Sequence, residues 1–288
     1  MGNPFIDGTV VRPAGPGRYT AEIDEVWNLR PLPQGGVVSA IAVRAMEAAL
    51  GDPAQRPRTL HTTFAAQVAC GAVEVDVEVL RRGRTMSQAR AEVRNPGAAR
   101  GHLTTAVFGS AREGFDFTDL EPPAVPPPDE CESFRSPPPA DFVEVFEPMP
   151  FWDEVVHGRN AIGHPPWDDT PRDRAERATW YSFDAPPMLA DGTLDPLALI
   201  VLSDVMPGAV GEKVGPDDRG WFAPSIDLTV HLLDECRSGT VLGHNRARFA
   251  GDGYASADMA LWDCGDDGRA TPRLVAYATQ LFLFSFVA

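Results

Sequence analysis

The chain has 288 residues, 43% apolar and 23% charged, which is ordinary globular usage at a length that accommodates about two domains of ~150 residues. Twenty-five basic against 41 acidic side chains leave a net charge of −16. That balance excludes a general nucleic-acid or anionic-membrane binder, because both partners need a basic footprint.

No stretch approaches the ~18 consecutive apolar residues of a membrane-spanning helix, and the N-terminus has no basic segment leading into an apolar one. The cysteines, Cys70, Cys131, Cys236 and Cys264, are scattered without a C-x-x-C pair. A cytoplasmic protein with reduced thiols is the expectation.

In chain order, Gly35-Gly36 opens a stretch, Val37 to Leu50, that only Ser39, Arg44 and Glu47 interrupt. A helix apolar on nearly every face is buried on several sides, and Gly51-Asp52-Pro53 stops it. Val73, Val75, Val77 and Val79 then alternate with Glu74, Asp76 and Glu78, the period of a strand with one wet face. The turn Arg81-Arg82-Gly83-Arg84 leads to a second alternating run, Ser87 to Arg94. Asn95-Pro96-Gly97 turns again before Leu103 to Phe108.

Of 28 prolines, 13 lie between Pro122 and Pro171. Such density cannot feed a helix or a central strand, so residues 115–175 read as a proline-rich linker. It divides an N-terminal unit, 1–114, from a C-terminal unit, 176–288. The linker aromatics Phe142, Phe146, Phe151, Trp152 and Trp167 are expected to pack on a domain surface.

Beyond the linker the same order recurs. Asp195-Pro196 has the residue types of a helix start, and the helix Leu197 to Met206 is apolar apart from Ser203 and Asp204. After a turn at Pro207-Gly208 come strands Ser225 to Leu233, Val241 to Phe249, Ala255 to Asp263 and Leu274 to Phe284, with Asp252-Gly253 as a hairpin turn. Arg58 to Thr63 sits where Pro224 to Thr229 sits, an offset of 166 residues. The pattern is two copies of one α+β unit, a buried helix followed by a long antiparallel sheet.

A sheet wrapped around one buried helix is the hot-dog unit, and two in tandem make a double hot dog. Gln34-Gly35-Gly36-Val37-Val38, Leu60-His61-Thr62-Thr63-Phe64 and Leu80 to Ser87 resemble successive motifs of the type II acyl-CoA thioesterases. Val201-Leu202-Ser203-Asp204, Ser225 to Thr229 and Ala278-Thr279-Gln280 resemble motifs of that family's second half. The resemblance covers residues 20–110 and 178–285. It implies hydrolysis of an acyl-CoA or acyl-carrier thioester by an activated water, with no cofactor and no metal. An Asp late in the second buried helix, a hydroxyl on the next strand and a Gln on the last strand bind that water in the family. By motif these are Asp204, Ser225 and Gln280. The family more often has Thr at the hydroxyl position, and its following Asp-His pair is here Asp227-Leu228. The chain resembles a divergent branch.

The residues can be weighed on their own chemistry. Asp204 is an acid near the C-terminal end of an apolar helix, where the dipole disfavours negative charge. Burying it costs stability unless it is paired, which points to function; it can also simply face solvent or cap the next turn. Gln280 shares a strand face with Ala276, Ala278, Phe282 and Phe284 and can either grip a water or satisfy backbone groups. Ser225 after Pro224 is a candidate orienting hydroxyl or an ordinary turn serine. Gly35 and Gly36 at a helix start offer unpaired amides for an oxyanion or phosphate, or mark a tight turn that needs glycine. Arg81, Arg82, Arg84, Arg90 and Arg94 form either a solvated hairpin face or an anchor for a coenzyme A phosphate. His61 reads as a structural histidine on a strand.

No Gly-x-Ser-x-Gly elbow and no zinc spacing occurs. Two rival functions remain. One is an acyl-thioester binding protein without hydrolysis, which the Asp227-Leu228 departure favours. The other is a hot-dog hydratase or dehydratase, against which stands the absence of any histidine between His164 and His231. The expected partner is the thioester substrate, with neither nucleic acid nor membrane, and a homodimer is compatible with the fold.

Overall fold

A computed structural model describes residues 2–29, 31–140, 149–165, 167–168, 173–215 and 220–286. A short helix α1 (Pro4–Gly8) and a hairpin of β1 (Arg12–Gly15) and β2 (Arg18–Ile23) precede the first long helix, α2 (Gly35–Leu50). Four strands follow: β3 (Arg56–Phe64), β4 (Gly71–Arg81), β5 (Met86–Arg94) and β6 (His102–Gly109). Next come β7 (Glu132–Ser133), β8 (Val156–Ile162) and β9 (Glu176–Phe183), then helices α3 (Pro196–Ser203) and α4 (Pro207–Val214). The chain ends with β10 (Trp221–Phe222), β11 (Asp227–Leu232), β12 (Thr240–Gly251), β13 (Tyr254–Asp263), β14 (Arg273–Leu283) and β15 (Ser285–Phe286).

Thirteen of these strands form one sheet, in the order β1-β2-β4-β5-β6-β3-β11-β14-β13-β12-β9-β8-β7. The first half supplies one side and the second half the other. They meet where β3 and β11 pair antiparallel, with Thr62 opposite Leu228. An offset of 166 makes Thr62 and residue 228 counterparts, so an approximate twofold axis passes through that pair. The repeat seen in the sequence and the register of the sheet are one symmetry.

Residues from α2 and α3 lie side by side in one apolar core that also takes in the inward faces of both half-sheets. Helix α2 is buried along almost its whole length, Arg44 and Glu47 being partly exposed and Ala48 and Ala49 lying toward its end. This is the α+β double hot dog the sequence pattern implies. Gly51 caps α2 at φ 59° in the left-handed region, and Asp252 and Gly253 turn the β12–β13 hairpin at φ 53° and 82°, the geometry of a two-residue turn matched to strand twist.

Several elements differ from the sequence expectation. The linker segment 115–175 contains β7 and β8, both in the large sheet, and β8 pairs with β9. Its prolines flank these strands instead of interrupting them. Phe151 and Trp152 pack as expected: Phe151 meets Trp27 at 6.4 Å between centroids, and Trp152 stacks on Tyr181 at 6.1 Å. Phe142 and Phe146 lie outside the described residues. Helix α3 stops at Ser203, and Pro207-Gly208 starts α4 instead of forming a turn only, since Pro suits the first helical position. Ser225 precedes β11 and joins the sheet by an isolated bridge to Phe282. All four cysteines are unpaired. Among the described residues no helix is long and apolar enough to cross a membrane.

Candidate active site

Asp204 is the C-cap of α3, with φ −94° and ψ 51°. The helix has released its backbone there, and the carboxylate turns aside into the seam between α3 and the start of α2. Ser225 and Gln280 arrive from the sheet. The Gln280 Nε2 donates to Asp204 Oδ1 and, at 2.9 Å, to the Ser225 hydroxyl; that hydroxyl donates to Asp204 Oδ1 at 3.2 Å. The three residues proposed from sequence therefore form one closed network. Asp204 is 7% exposed and Gln280 2%.

Gly35 and Gly36 complete the site from the other half of the chain. The Asp204 carboxylate lies against the first turn of α2, where the Gly35 and Gly36 amides favour its charged form. Neither glycine needs a positive φ. A Cβ on Gly36 would stand 2.7 Å from the Ile200 carbonyl, and one on Gly35 2.8 Å from Asp204 Oδ2 and 2.6 Å from the Phe64 ring. Close approach of the two helices requires these glycines, which replaces the tight-turn explanation.

Burial pushes the Asp204 carboxyl up to about 6, against the hydrogen bonds from Gln280, Ser225, Gly36 and Gly35 that favour its charged form. A carboxylate of that basicity, ionised at neutral pH, is suited to taking a proton from water. One acceptor in the network is unspent: Gln280 Oε1 is buried without a hydrogen-bond partner, a cost that a bound water or substrate group would relieve.

One contributor was not legible beforehand. Gln34, the N-cap of α2, accepts from the Val37 amide at 2.9 Å and donates to the Val201 and Asp204 carbonyls at 2.8 and 3.1 Å. Its position directly before Gly35-Gly36 was the only available signal, and Gln is not among the favoured N-cap residues.

Several of the other candidates have structural contacts. Arg82 donates to the Leu50 and Ala49 carbonyls at the C-terminus of α2. Arg90 pairs with Glu78, and Arg94 with Glu74 and Asp76. His61 hydrogen-bonds Thr229 at 2.9 Å on the outer face of the sheet. Asp227 accepts from the Leu281 amide at 2.8 Å, and Leu228 is a core residue.

The place related to this site by the approximate twofold carries different groups. Arg44 of α2 reaches Asp195, the N-cap of α3, and also Glu47. Pro196 stands in the first turn of α3 and has no N–H to offer. By the register of the sheet, Thr104 on β6 replaces Gln280, and it bonds Thr62 at 2.8 Å. Among the described residues, the network of Asp204, Ser225 and Gln280 has no like counterpart at that place.

A search of curated proteins finds none that matches the sequence. Among solved structures, the chain is similar to a conserved protein of unknown function with a hot dog fold from Alicyclobacillus acidocaldarius, at 23% identity and TM-score 0.78 over 99% of both chains. It is also similar to the acyl-CoA thioesterase II TesB2 of Mycobacterium marinum, at 18% identity and TM-score 0.74 over 99% of both chains. A tesB protein of Mycobacterium avium subsp. paratuberculosis aligns at 16% identity and TM-score 0.70 over 98% of both chains. These likenesses establish the fold. At the level of sequence, residues 23–109 match the acyl-CoA thioesterase N-terminal domain and residues 128–284 its C-terminal domain, so the chain belongs to the acyl-CoA thioesterase family.

Proposed function

We propose that the protein hydrolyses acyl-CoA or acyl-carrier thioesters by direct attack of a water activated by Asp204. The observation that carries this reading is the closed network of Asp204, Ser225 and Gln280 against the N-terminus of α2, with the Asp204 carboxyl lifted to about 6. Water bound to Asp204, Ser225 and the unspent Gln280 Oε1 gives a proton to the carboxylate as its oxygen bonds to the thioester carbon. Negative charge leaves Asp204 and appears on the thioester oxygen. The Gly35 and Gly36 amides, which face the carboxylate beforehand, are turned to the new charge at that moment and are the oxyanion donors. Collapse of the tetrahedral intermediate breaks the carbon–sulfur bond, and the departing thiolate takes the proton from Asp204. Water and thioester become acid and thiol, with no further reactant.

The test is steady-state hydrolysis of an acyl-CoA panel with free-thiol detection. Turnover is expected, with a kcat/KM that rises with pH through about 6 as Asp204 ionises. Asp204→Asn is expected to lower turnover by about two to four orders of magnitude, the usual worth of a general base. Thioester binding without turnover in the wild type would favour the binding-protein alternative. Full turnover in Asp204→Asn would remove the base assignment.

A further inference from the structure

Gln34 is buried, 1% exposed, and all of its hydrogen-bonding is directed at helix ends. Its Oε1 satisfies one of the amides that the first turn of α2 leaves open. Its Nε2 satisfies two carbonyls at the last turn of α3, one belonging to Asp204 itself. One side-chain amide thus caps two helices from different halves of the chain, head to tail, where each helix end would otherwise leave unpaired groups in the core. Because its Oε1 takes the Val37 amide, the Gly35 and Gly36 amides remain free to face the Asp204 carboxylate.

We infer that Gln34 is a positioning residue for thioester hydrolysis, which fixes the separation of the Asp204 carboxylate from the Gly35 and Gly36 amides. The inference rests on the proposed role of Asp204, but its test does not. The groups bearing on the carboxylate are the Gln280 amide and Ser225 hydroxyl from the sheet side and the two glycine amides from α2, all of them neutral. With Gln34 gone, the grip on the Asp204 backbone is lost and the glycine amides draw back. The carboxylate then loses the donors that favour its charged form.

Gln34→Ser is the informative variant. Serine is a strong N-cap and keeps α2 capped, but it is too short to reach the Val201 and Asp204 carbonyls. Gln34→Asn, one methylene shorter than the native residue, serves as a second variant. The midpoint of Asp204 ionisation is read directly from its carboxyl carbon by NMR, identified by its loss in Asp204→Asn. The midpoint is expected to move upward in Gln34→Ser, and to a smaller extent in Gln34→Asn. In turnover, the acid limb of the pH profile moves with it, and kcat falls about tenfold while KM stays within about twofold, the pattern of lost alignment and not of lost binding. A helix cap with a purely structural role lowers the melting temperature and leaves both the midpoint and the acid limb in place. An unchanged or lowered midpoint in the serine variant overturns the inference. If Asp204→Asn retains full turnover, the hydrolytic role of Asp204 falls, and the NMR titration still decides whether Gln34 sets its environment.

Discussion

Hydrogen bonds from Gln280 and Ser225 and the nearby Gly35 and Gly36 amides favour the charged form of Asp204 while its burial works against that form, and the two effects have separable consequences. Its carboxyl is lifted from 3.8 to about 6, so the fold favours the protonated acid. That contribution is fully present below the unfolded value and is lost as pH rises through the folded one. Asp204→Asn should therefore stabilise the protein by about 1–3 kcal/mol at neutral pH and by almost nothing at about pH 4. Thermal melts of the two proteins at both pH values check this, and an equal gain at each would sink it. Ser225→Ala and Gln280→Ala each remove hydrogen bonds of roughly 1 kcal/mol and should slow turnover by about tenfold, less than the loss of the base. Adding either to Asp204→Asn should cost little more, because residues that hold one water act as a unit. Multiplicative losses in the double variants would show that the three do not share a water.

At the scale of elements, the site is a junction. Helices α2 and α3 run antiparallel side by side, so the last turn of α3 sits beside the first turn of α2, and the sheet brings Ser225 and Gln280 up to that contact. Much of this was legible. Helix α2 was apparent because almost every position in it is apolar, and β4 and β5 because their valines and alanines alternate with charge. The ordered motifs placed Asp204, Ser225 and Gln280, and the structure joins them. What could not be read was who faces whom. Residue spacing within α2 says nothing of α3, so the partner of the Gly35 and Gly36 amides and the double cap by Gln34 were invisible. Helix α4 was hidden because Pro207-Gly208 reads as a stop, and β8 because the prolines around it dominate the composition. Within the proline-rich linker, its first stretch and the stretch around β8 differ in protection. Phe115 and Phe117 are 99% and 76% exposed, while Phe151 and Val155 are fully packed and β8 is paired on both sides. Limited proteolysis should cut first within residues 111–127 and spare 151–162. Cleavage at equal rates in both stretches would contradict the packing.

For the molecule as a whole, the β3–β11 pair and the α2–α3 contact make one core out of both halves. Separated, each half would expose the edge of its central strand and the buried side of its helix. Residues 1–115 and 128–288 expressed alone should therefore give no cooperative monomeric melt. Mixing them should restore one if the junction drives assembly. A cooperative melt from either fragment as a monomer would show two autonomous domains.

The Arg44–Asp195 pair on the far side of the twofold has a consequence for how such a chain can change. In an assembly of two identical subunits every substitution is made twice, once at each symmetric site. An arginine in place of the acid would then alter both sites at once. Joining the two copies in one polypeptide removes that penalty, because each position is inherited separately. One copy can carry Asp204 beside the Gly35 and Gly36 amides while the place related to it carries Arg44 and Pro196. Tandem fusion thus lets two places related by the twofold serve different ends within one chain, an ion pair at one and a buried carboxylate among amides at the other.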